Sequence, residues 1–276
     1  MYKIFFIKLL LVVSTLHATL LQDKIENIIG KDSYTLHNNL IKLVFKDEKF
    51  YIKKEQINYD KVFKKLQENG LLNLRFVKPK EITIEFKSKI KKDNLSIKIF
   101  KILNDTMRSL GFRYFFTKSM TLDDEDNFIW KISFKAEYMI DPVELTNELL
   151  SNNSVVLDVE KRSDIYWVYD IDFNNSKIDY AIKIDKNEKV KFQKPLQAYF
   201  IEIEESKNLQ IISRNLNNWF PSIVFFDKDL QITSVIKKNR VFKGLTVQIP
   251  KGTRYIKITD MYNLINIKRG LTFILR

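Results

Sequence analysis

The sequence predicts an α+β protein in which a ferredoxin-like split βαβ domain is followed by an all-β, jelly-roll-like sandwich. Three observations lead there. Apolar residues at helical spacing over residues 93–110 sit between strand-like alternations. After about residue 177 helical spacing disappears, and short alternating runs recur roughly every ten residues, the mark of a sandwich or barrel. No Cys occurs in 276 residues, so a packed core must supply the stability, and 45% hydrophobic content makes such a core feasible.

In chain order, residues 1–18 read as a secretory signal. Lys3 and Lys8 precede the apolar Leu9, Leu10, Leu11, Val12 and Val13, and Ala18 offers a cut before Thr19. The apolar core is short of the roughly 20 residues of a membrane span. It is either cleaved or kept as an anchor, and the expectation is export to the periplasm with no integral span in the mature chain. Residues 19–78 form a small opening segment: a hairpin from residues 40–45 and 50–52, then a helix capped by Asn58 or Asp60 and ended at Gly70.

Residues 79–176 carry the split βαβ pattern. Ile82, Ile84 and Phe86 alternate as a strand, Asp93 caps a helix through Leu103 and Met107, and residues 112–120 and 128–138 form a hairpin. Asp141 and Pro142 then open a helix through Leu145 and Leu149, and Val155, Leu157 and Val159 alternate as the last strand. Residues 163–176 are either a connector or a strand shared by both domains. In the sandwich, residues 177–276, strands read through Tyr199, Ile201 and Ile203, through Leu245, Val247 and Ile249, and through Leu271, Phe273 and Leu275.

Composition removes several function classes. Only His17 and His37 are available for acid–base work, and the six glycines are too dispersed to cradle a phosphate or build a nucleophile elbow. The acidic turn Asp123-Asp124-Glu125-Asp126 is the one stretch with clustered oxygen ligands, yet it lacks the alternating spacing and central Gly of an EF-hand loop. The expectation is therefore a binding protein, not an enzyme, with no cofactor and no metal site. The formal charge of +13 favours acidic partners. Its Lys and Arg are scattered through strands, which does not suit nucleic acid.

Two segments of the sandwich carry candidate partner-binding residues. Trp219 and Phe220 fall between strands, where a large aromatic is either an interface anchor or a plug for one end of the core. Lys237, Lys238 and Arg240 read as a basic loop able to dock an acidic polymer or protein face.

The strings Asp60-Lys61-Val62-Phe63, Glu68-Asn69-Gly70-Leu71-Leu72, Trp219-Phe220-Pro221, Phe225-Phe226-Asp227-Lys228 and Ile267-Lys268-Arg269-Gly270-Leu271 together resemble uncharacterised epsilonproteobacterial periplasmic proteins. The resemblance implies a structural or interaction role among other periplasmic or envelope proteins, in a flagellar-motor or envelope scaffold. It implies no catalytic residue. The alternative left open is a module for an anionic glycan, peptidoglycan or surface polysaccharide.

Overall fold

The computed structural model describes residues 20–53, 56–90 and 97–276, so the signal segment and Asp93 lie outside the described residues. It is mixed α and β, in two compact units. The first holds the described residues to 90 and residues 101–177; the second holds residues 97–100 and 178–276.

In the first unit a helix α1 (20–29) leads into α2 (Lys31–Leu36) and α3 (Asn38–Val44). Helix α3 replaces the first strand expected at residues 40–45, and a 3-10 turn (Glu48–Phe50) precedes the short hairpin of β1 (Ile52–Lys53) and β2 (Gln56–Ile57). The reason is spacing: Ile41 and Phe45, four apart on one helix face, are buried, whereas Leu43 is 71% exposed. Helix α4 (Tyr59–Glu68) is capped by Asn58, whose Oδ1 accepts the Lys61 N–H at 3.3 Å, and buries Val62, Phe63 and Leu66.

A five-stranded sheet follows, built from β3 (Arg75–Lys89), β4 (Phe116–Leu122), β5 (Asn127–Tyr138), β6 (Val155–Ser163) and β7 (Tyr166–Asp172). Helix α5 (Ile97–Ser109) connects β3 to β4, and α6 (Pro142–Ser151), with Asp141 accepting the Val143 N–H at 2.8 Å, connects β5 to β6. Phe112 lies before β4, not inside it, and its ring meets Phe134 at 4.5 Å.

The strand order is β4-β5-β3-β7-β6. A four-stranded split βαβ sheet would set the last strand, β6, directly beside the first. Instead residues 163–176 supply a fifth strand: β7 folds back on β6 and runs parallel to β3. Trp167, Tyr169 and Ile171 are buried on its core side, beside Phe86 and Trp130. So apolar a strand gains most from an interior place.

The second unit is a β-sandwich. One sheet has the order β13-β12-β15-β10-β8 and the other β14-β11-β16-β9. The chain alternates between the sheets from β8 (Ile182–Ile184) onward: β9 (Lys189–Lys191), β10 (Tyr199–Ile203), β11 (Asn208–Ser213), then β12 (Pro221–Phe226) and β13 (Ile232–Lys237) as a hairpin, then β14 (Gly244–Gln248), β15 (Tyr255–Asp260) and β16 (Leu271–Leu275). Inward residues of both sheets, among them Ile201, Ile211, Phe225, Ile258 and Phe273, form one buried cluster. Among the described residues no helix is long and apolar enough to cross a membrane.

Candidate functional site

Strand register decides which turns of the sandwich share an end. Tyr199 pairs with Ile258, Pro221 with Asp260 and Ser222 with Lys237 in one sheet. Ser213 pairs with Leu271, Ile212 with Gly244 and Thr272 with Lys191 in the other. The loops 192–198, 214–220, 238–243 and 261–270 therefore emerge together.

Hydrogen bonds tie these four loops into one body. The Phe242 N–H donates to the Trp219 carbonyl, Met261 N–H to that of Phe220 and Asn218 N–H to that of Asn266, each at 2.9 Å. Asp260, buried at the end of β15, accepts from Phe220 N–H at 2.8 Å with one oxygen and from Tyr262 N–H at 2.9 Å and Asn266 Nδ2 at 3.0 Å with the other. Asn217 donates to the Gly270 carbonyl at 2.9 Å and accepts the Arg269 N–H at 3.1 Å. Arg214 reaches the Phe192 carbonyl at 3.2 Å. Tyr199 donates to the Gln193 carbonyl at 2.7 Å, and burial pushes its phenol up to about 12. So many fixed partners leave little for a ligand to order.

Trp219 is not on this surface. Its side chain is fully buried in the sandwich core, and its indole N–H donates to the Thr259 carbonyl at 3.0 Å. The expected anchor is thus a core plug, because the segment before β12 turns inward to close the end of the two sheets. Phe220 is half-buried and presents its ring to Tyr262 at 5.1 Å, nearly edge-on at 85°. Lys237 ends β13, while Lys238 and Arg240 lie in the loop; all three are exposed, and the Arg240 guanidinium rests 4.8 Å from the Phe242 ring.

What sequence reading missed is the company these residues keep. The four loops contain Lys194, Arg214, Lys238, Arg240, Lys243, Lys268 and Arg269, and not one Asp or Glu. Each also exposes a large apolar side chain: Leu196 at 92%, Leu216 at 74%, Val241 at 42%, and both Tyr262 at 59% and Ile265 at 65%. Tyr262 is held by a hydrogen bond to Asn239. The opposite end of the sandwich, loops 185–188, 204–207, 227–231 and 249–254, has six acidic and five basic residues. No large apolar residue is exposed in those loops.

No family model and no curated protein matches the chain. A solved structure of a beta-glucosidase from Paenibacillus barengoltzii is similar over 34% of this chain and 11% of its own, with 9% identity and a TM-score of 0.20. The chain thus spans about a tenth of that structure, and a likeness so slight carries no argument.

In the first unit, the acidic turn spends its leading carboxylate on the backbone. Asp123 accepts from Glu125 N–H and Asn127 N–H, both at 2.9 Å, as an Asx turn does. Among the described residues no group of three or more His, Asp or Glu side chains is placed to hold a metal.

Proposed function

We propose that this is a non-enzymatic interaction protein of the periplasm, a component of an envelope or flagellar-motor scaffold, whose sandwich grips an acidic partner with its loop end. One observation carries the reading: seven cations and no carboxylate in four loops that share one end. A patch of single sign attracts and orients an oppositely charged surface. The fold suits the task, since loops held by a rigid sandwich are where such domains place recognition. We read the orders β9-β16-β11-β14 and β10-β15-β12-β13 as those of a jelly roll, with β8 added at one edge, and the first unit as a split βαβ sheet enlarged by β7.

A second reading is an acidic glycan, favoured by Tyr262, whose exposed ring is oriented by Phe220 and Asn239 beside cations. Titrating labelled polyglutamate and polygalacturonate against the wild type and Lys237→Ala/Lys238→Ala/Arg240→Ala tests the site. The triple change should weaken binding roughly tenfold, about 1.4 kcal/mol, at unchanged melting temperature. Equal binding by both folded proteins rejects the loop end as the contact.

A further inference from the structure

The loop end is richer in exposed apolar side chains than charge recognition requires. Each loop lifts at least one of Leu196, Leu216, Val241, Tyr262 and Ile265 into solvent. Leu216 does so from a left-handed backbone, at φ 66°. A sugar polymer has no apolar interior, and an acidic protein face would need a separate apolar pocket matched to each of five tips. An anionic bilayer offers both: headgroup phosphates for the cations and, just beneath, the acyl boundary for the apolar groups.

We infer that the loop end of the sandwich docks on the surface of an anionic phospholipid bilayer, with Leu196, Leu216, Val241, Tyr262 and Ile265 dipping into the interface and the surrounding Lys and Arg meeting the headgroups. The inference rests on the reading of this end as the contact and names what it contacts. The opposite end acts as an internal control: its loops mix charges of both signs and expose no large apolar residue, so neither feature follows from being a sandwich end. The hydrogen bonds that Asp260 accepts from Phe220 and Tyr262 N–H and that Asn217 donates to the Gly270 carbonyl hold these loops in place.

Vesicle co-sedimentation decides it, using the full chain with phosphatidylcholine alone and with phosphatidylcholine and phosphatidylglycerol at about 3:1. The wild type should bind the mixed vesicles at least tenfold more tightly than the neutral ones, and weaken as salt rises. Leu196→Ser/Val241→Ser/Ile265→Ser, changing exposed positions only, should lose about tenfold on mixed vesicles yet less than twofold on polyglutamate. Lys237→Ala/Lys238→Ala/Arg240→Ala should lose on both. Vesicle binding that ignores the apolar triple change, or absent vesicle binding beside intact binding of polyglutamate or polygalacturonate, overturns the bilayer assignment and leaves the site. Binding to none of these probes overturns site and assignment together.

Discussion

Gly270 approaches Phe192 so closely that a Cβ in its place would lie 2.0 Å from the Phe192 carbonyl oxygen. Its φ of 85° also falls where only glycine is unstrained. The contact lets the loop before β16 cross the loop after β9, and the Phe192 N–H, 2.9 Å from the Leu271 carbonyl, fixes the crossing. Gly270→Ala should therefore cost about 2 kcal/mol or more through strain and displaced backbone. Thermal unfolding is the measurement, and an unchanged melting temperature would contradict the close approach.

Trp219→Ala should destabilise by about 3–5 kcal/mol, the cost of emptying a large buried aromatic site. Trp219→Phe should cost less, losing mainly the bond to the Thr259 carbonyl. Urea midpoints of both variants check this. A Trp219→Ala protein of wild-type stability would return Trp219 to the surface.

Glu85 sets an acid limit on the first unit. It is only 4% exposed on β3, yet takes a hydrogen bond from Tyr166, an ion pair from Lys131 at 3.0 Å and another from Lys87 at 3.4 Å. Burial raises its pKa, but Tyr166, Lys131 and Arg162 together outweigh that and hold it below the ordinary carboxylate value. A carboxylate depressed in the folded state stabilises fully above its unfolded pKa, about 4.3, and loses that contribution as pH falls through the folded value. Glu85→Gln should thus be less stable than wild type at pH 7, and the gap should shrink below about pH 4. A gap constant across that range would show that the charge is not what matters.

Asn27 on α1 guards the edge of the first sheet. Its Oδ1 accepts the Lys161 N–H at 2.8 Å, and its Nδ2 donates to the Lys161 carbonyl at 3.3 Å, so a side-chain amide pairs with strand β6 as another strand would. Asn27→Ala should lower stability by about 1 kcal/mol and speed hydrogen exchange at the Lys161 amide. An exchange rate that does not change would count against the guard.

Much of the local structure was legible because its causes lie within a few residues. Asn58 and Asp141 accept the N–H groups that begin α4 and α6. Ile82, Ile84 and Phe86 alternate because one face of β3 is buried. Sequence and structure part where local cues are compatible with two outcomes. Residues 40–45 are a short apolar run before a polar turn, as a hairpin strand could be, but Ile41 and Phe45 also sit one helical turn apart, and packing took the helix.

The sequence by itself determined the α+β class, the caps that open α4 and α6, the strand alternation and the positive charge, since capping, periodicity and net charge need no knowledge of distant neighbours. Only the tertiary structure decided that β7 enters the sheet beside β3, that Trp219 turns inward and that four loops without a carboxylate meet at one end. Those outcomes depend on strand register across up to 85 residues, from Lys189 against Ile274. A one-residue slip would send every side chain of a strand to the other face, so only the packed core selects among registers that the local sequence leaves equivalent.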